Sequence, residues 1–122
     1  MDRWTRAVAL GVGVGRAATG VWFLAAPKRP AQAWVGDTGV PSRYLARTVG
    51  GRDLAIGSGL ILAAITGTAS RTWLAASVAS DLTDAIAGTA MLDGAQRRNA
   101  IGFAGGFGAL GAVVLAMSVI RD

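Results

Sequence analysis

Two arginines and three aspartates stand inside otherwise apolar runs of this chain. Arg16 interrupts the first run, Arg52 and Asp53 sit side by side in the second, and Asp81 and Asp84 lie in the third. If those runs cross a membrane, each central charge costs about 2.5–3.5 kcal/mol when it stands alone. Five isolated charges would cost roughly 12–17 kcal/mol, so they are expected to pair or to line a wet cavity. Three carboxylates against two guanidinium groups leave one negative charge in excess. Two kinds of chemistry follow: a structural ion-pair network, or a site that answers to a proton or a cation.

Much other chemistry is excluded by residue type. The chain has no His, no Cys and no Glu. A His-based general base, a Ser-His-Asp triad, a thiolate nucleophile and a zinc site of the usual kind are all ruled out. No catalytic constellation is present, so the chain reads as a non-enzyme, and neither cofactor nor metal is called for. Gly11-Val12-Gly13-Val14-Gly15-Arg16 lacks the final glycine spacing of a dinucleotide-binding loop.

The elements that must position these charges are legible from composition and period. Of the 122 residues, 52% are hydrophobic and only 16% charged, against roughly 25% charged in soluble domains. Four apolar segments cover residues 6–26, 44–66, 72–92 and 99–120, each about 20 residues long, the length that crosses a ~30 Å hydrocarbon core. The expected fold is all-α: one integral membrane domain over residues 1–122, built as a four-transmembrane-helix up-down-up-down bundle, multi-pass in the plasma (inner) membrane. Arg3 and Arg6 before an apolar run resemble the start of a signal peptide, but the run resumes after Arg16, so the first segment is read as a retained helix.

Connections sharpen the picture. Gly67-Thr68-Ala69-Ser70 and Asp93-Gly94-Ala95 are tight links, with Ser70 the expected N-cap of the third long helix. The longer first connection holds Pro27, Pro30 and Pro41, and a short interfacial helix is expected over 30–34, with Pro30 at its first position and Trp34 at headgroup level. At about 1.5 Å rise per residue, Arg16, Arg52, Asp53, Asp81 and Asp84 all fall roughly 10–17 Å below one membrane face. Ser77, Ser80, Asp81, Asp84 and Gly88 share an arc of about 100° on the third helix, opposite Ala79, Leu82 and Ile86. Adjacent residues diverge by about 100° on a helix, so Arg52 and Asp53 are expected to address different neighbours: Arg52 reaching Asp84 or Asp81, and Asp53 reaching Arg16.

The net charge of +5 comes from basic residues scattered along the chain and mostly flanking apolar runs. That distribution fits membrane boundaries and not a nucleic-acid face. Lys28, Arg29, Arg43 and Arg47 are candidate headgroup contacts, against the plainer reading of boundary snorkelling. The glycines fit close helix packing: Gly11 with Gly15, Gly51 with Ala55, and Gly102 with Gly106 form small-xxx-small pairs. The charge-free fourth helix packs within the bundle or forms a homodimer through Gly102 and Gly106. The expected partners are the lipid bilayer and either a membrane complex or a second copy.

The sequence also resembles a known family. Gly15-Arg16, Pro27, Trp34-Val35-Gly36-Asp37, Arg47, Gly51-Arg52-Asp53-Leu54-Ala55-Ile56-Gly57 and Asp81-Leu82-Thr83-Asp84-Ala85 occur in an order similar to that of small four-helix membrane proteins common in actinobacteria, a domain of unknown function. More distantly the chain looks like DoxX-like membrane proteins, some of them associated with quinone redox chemistry. The resemblance implies a membrane bundle and no particular activity, and no motif carries a quinone role over. Together these readings favour an accessory or assembly subunit held by an intramembrane Arg/Asp network. The alternative is a small proton-coupled transporter or ion-binding protein using Asp53, Asp81 and Asp84.

Overall fold

A computed structural model describes residues 2–121. They form five helices: α1 (Arg3–Ala25), α2 (Lys28–Val35), α3 (Val40–Thr66), α4 (Ser70–Met91) and α5 (Gly94–Arg121). The long helices α1, α3, α4 and α5 run in alternating directions. Three of them, α1, α3 and α5, are long and apolar enough to cross a membrane. With 22 residues α4 has the length, but its serines, threonines and two aspartates leave it short of the apolarity that the expectation of four such helices required.

The bundle consists of two tight antiparallel pairs, α1 with α3 and α4 with α5, joined by looser contacts. The first pair closes backbone to backbone. A Cβ built on Gly13 would come within 2.9 Å of the Gly57 carbonyl oxygen, and one on Gly57 within 2.6 Å of the Gly13 oxygen. Seven residues away the arrangement repeats, with Gly20 and Gly50 facing each other's carbonyls at 2.5 and 2.8 Å. Of the glycines expected to pack, Gly15 meets the Phe107 ring of α5, which lies 3.4 Å from a Cβ built there. Gly11, Gly51, Gly102 and Gly106 have open space where a side chain would be. A seam that repeats every two turns needs its small residues seven apart on the facing stripe, not four apart on any stripe. In the second pair, α5 lays Ala100, Ala104, Gly108 and Gly111 on α4, with the Gly108 position against the Asp81 side chain.

The ends follow from local chemistry. Asp2 caps α1, its carboxylate accepting from the Thr5 amide at 2.8 Å and from Arg121 at 2.8 Å. Those bonds, the Thr5 amide foremost, hold its pKa at about 2. The short helix α2 begins before Pro30, since a proline within a first turn lacks only an N–H that has no intrahelical partner. Gly36 ends it in the left-handed conformation, φ 72°. Asp37 then organises the start of α3 by accepting from the Ser42 hydroxyl at 2.6 Å and the Gly39 amide at 3.1 Å, which keeps its carboxyl below the usual range. The α3–α4 link differs from expectation. Left-handed Ala69, φ 58°, is the N-cap of α4, and Ser70 lies inside the helix with its hydroxyl unpartnered. The link between α4 and α5 is Leu92 and Asp93 alone, with Gly94 already helical.

The outer surface is apolar. Val14, Val21, Leu62, Ile65, Leu82, Ile86, Val113 and Val119 are all exposed. Soluble monomers rarely carry large contiguous apolar patches, so a surface of this kind suits contact with hydrocarbon.

Candidate functional site

All five charges of the apolar runs meet in one place. Arg16 projects from α1 toward α4 and is only 2% exposed. Its Nε donates to the Ser77 hydroxyl at 2.7 Å, its Nη1 to Asp53 Oδ1 at 2.9 Å, and its Nη2 to the Ser77 carbonyl at 3.2 Å. Nη2 also pairs with Asp81 Oδ2. The guanidinium lies 5.9 Å from the centre of the Phe107 ring, a cation–π arrangement. Arg52 projects from α3 and grips Asp84 with both terminal nitrogens, at 2.9 and 2.7 Å. A fork-to-fork pair of this kind fixes geometry as well as charge.

Asp53 joins the two halves. Its Oδ1 accepts from Arg16 and also from Arg52, at 3.2 Å from Nη2 and 3.3 Å from Nε. The side chains thus form an alternating series, Asp81–Arg16–Asp53–Arg52–Asp84, that starts and ends on α4. The contacts of Arg52 with Asp84 and of Asp53 with Arg16 are the ones the depth and facing of the residues suggest, whereas Asp81 pairs with Arg16 and not with Arg52. Arg52 and Asp53 do address different neighbours, but contrary to expectation they also meet each other. Their Cβ atoms diverge, but the long Arg side chain bends back over its own helix until the guanidinium meets the neighbouring carboxylate.

The α4 stripe is placed as its spacing suggests: Ser77, Asp81 and Gly88 are buried, Ser80 and Asp84 half-buried, and Leu82 and Ile86 exposed. Beside the layer, the space between Arg16, Thr19, Trp34 and Phe107 is too small for a water molecule. Trp34 contributes to that seal. It is half-buried and stacked edge-on between Phe23, at 5.6 Å, and Phe103, at 5.5 Å. Phe103 continues to Phe107 at 5.2 Å, so an aromatic row leads from α2 to the guanidinium of Arg16. Sequence reasoning missed Phe107 as a charge partner. The available signal was the i, i+4 spacing of Phe103 and Phe107 on a helix facing an arginine.

The boundary cations lie outside this layer. Lys28 and Arg29 are exposed on the first turn of α2, and Arg43 is half-buried on α3. Arg47 donates from Nε to the Leu24 carbonyl at 3.3 Å, satisfying the end of α1. Among the described residues, no group of three or more acidic, His or Cys side chains is arranged to hold a metal ion. Arginines stand between the carboxylates instead.

Fold and site together define a helical protein with membrane-length helices and a buried layer of alternating charge. Comparison with protein-family models, with curated proteins and with solved structures finds no match to this chain.

Proposed function

We propose that this chain is a four-span, multi-pass protein of the plasma (inner) membrane, acting without catalysis as an accessory or assembly subunit of a membrane complex. The observation that carries this reading is the closed arrangement of the charge layer. Both arginines are engaged on two carboxylates each, and the layer ties α4 to α1 and α3, where the helix pairs touch less closely than the helices within each pair. Such a layer supports a rigid body that presents its outer helix faces to something else. Kinship with the actinobacterial four-helix proteins is part of the proposal, supported by residues 51–57 and 81–85. Extraction of the tagged chain in a mild detergent should yield a larger complex with a defined second component. A chain that emerges alone, folded and at its own mass, refutes the accessory role.

A second reading is favoured by one specific count, three aspartates to two arginines in the layer. In that reading the excess negative charge serves a proton-coupled or ion-binding activity. Asp84→Asn would then leave the chain folded in proteoliposomes while removing pH-dependent flux. Loss of fold with no flux in the parent chain points back to a structural layer.

A further inference from the structure

A cavity of about 210 Å³ lies under α2, between the start of α3 and the end of α4. Its walls are apolar, with Phe23, Trp34, Leu45, Met91 and Leu92 among them. Two polar side chains reach it. At its outer end Ser42 is already committed to Asp37. At its inner end stands Asp84, the one member of the charge layer that lines the cavity. Along α4 and its C-cap the lining runs from Leu92 to Asp84, eight residues or a little over two turns, so the space runs roughly 12 Å inward.

We propose that this cavity binds a small lipophilic monocation, an apolar amine whose ammonium group rests on Asp84. Three features select that class. The volume is below the ~300–1,000 Å³ of pockets for drug-sized ligands, so it suits a single ring with a short chain. The walls favour an apolar body, and the flexible Met91 thioether adapts to its shape. The charge layer supplies the rest: Arg16 from α1, Arg52 and Asp53 from α3, and Asp81 and Asp84 from α4 sum to one negative charge when all are ionised. One bound cation brings that sum to zero. The Asp84 carboxylate has capacity for it, because a carboxylate accepts about four hydrogen bonds and Arg52 uses two of them. This inference goes beyond the proposed role, since it requires neither a partner subunit nor transport.

Three probes that differ little except in charge test it: 2-phenylethylammonium, 2-phenylethanol and phenylacetate, titrated calorimetrically into the purified full chain in detergent. The expected result is one site per chain for the ammonium ion, at least about tenfold tighter than the alcohol, with no binding of the carboxylate. Asp84→Asn should abolish the preference for the cation. Ala87→Leu fills the cavity from an exposed position of α4 without touching any charge, and it should abolish binding of the ammonium ion and the alcohol alike. Equal affinity for alcohol and ammonium, no binding of the ammonium ion, or ammonium binding unchanged in Ala87→Leu would each overturn the proposal. Because Ala87→Leu leaves the charge layer intact, the test holds even if Asp84→Asn fails to fold. Co-purification is a separate readout, so failure here leaves the accessory role standing.

Discussion

The seam between α1 and α3 and the seam that joins α4 to those two helices solve the same problem in opposite ways. At the first, Gly13, Gly20, Gly50 and Gly57 remove side chains, and the backbones come together. At the second, Arg16 and Arg52 extend long side chains across a wider gap to Asp81 and Asp84. Close packing gains dispersion contacts and leaves no room for a ligand. Bridging by charge holds helices apart, and a cavity remains beside the bridge. One seam is specified mainly by shape, with the Arg16–Asp53 pair lying across it. The other is specified by charge and depends on every partner being present.

The largest expected effect breaks the charged seam. Arg16→Met leaves Asp53 without one of its arginines and Asp81 without its partner, and a buried pair broken from one side costs about 3–5 kcal/mol. Denaturation in mixed micelles followed by circular dichroism should show that loss, and a charge reversal at both ends of one bridge, Arg52→Asp with Asp84→Arg, should recover protein lost in each single variant. Next comes the glycine seam. Gly57→Ala places a methyl group 2.6 Å from the Gly13 carbonyl oxygen, and overpacking of this kind costs about 1–3 kcal/mol. The same unfolding assay should give a loss that does not vary with salt, which separates shape from charge. The smallest effect lies outside both seams. The Asp2 carboxyl titrates at about 2 in the folded chain, against an ordinary 3.8, chiefly because the Thr5 amide and Arg121 hold its charged form. Its stabilising contribution is therefore complete above pH 3.8 and fades as the pH falls toward about 2. The stability difference between the parent chain and Asp2→Ala should shrink over that window and stay constant above it.

What the sequence revealed follows the same division. Charges in apolar runs advertise themselves, and depth along a helix is set by residue count, so the layer and the contacts of Arg52 with Asp84 and Asp53 with Arg16 were legible. The inner stripe of α4 was legible for the same reason, because burial follows the helical period. The glycine seam was not. With 18 glycines in the chain, many small pairs exist, and only the relative rotation of α1 and α3 decides that Gly13 and Gly57 touch while Gly11 and Gly51 face outward. The local start of α4 was hidden too, because left-handed Ala69 closes the link where Ser70 carries the stronger capping signal. The bend of Arg52 onto Asp53 depends on the reach of a flexible side chain, which backbone periodicity does not encode.

The alternating charges begin and end on α4, and this has a consequence for how the chain is made. Ribosomal synthesis delivers α1 and α3 first, bearing both arginines of the buried layer and one of its aspartates, so that this part of the layer has one positive charge to spare. The later half brings the remaining members of the layer, the carboxylates Asp81 and Asp84, on the long helix that falls short of membrane-span apolarity. On the four-span reading proposed above, such a helix would enter hydrocarbon at the lowest cost when its counter-charges are already in position. On that reading the order of the residues in the gene is also an order of assembly, in which the arginines wait for the aspartates.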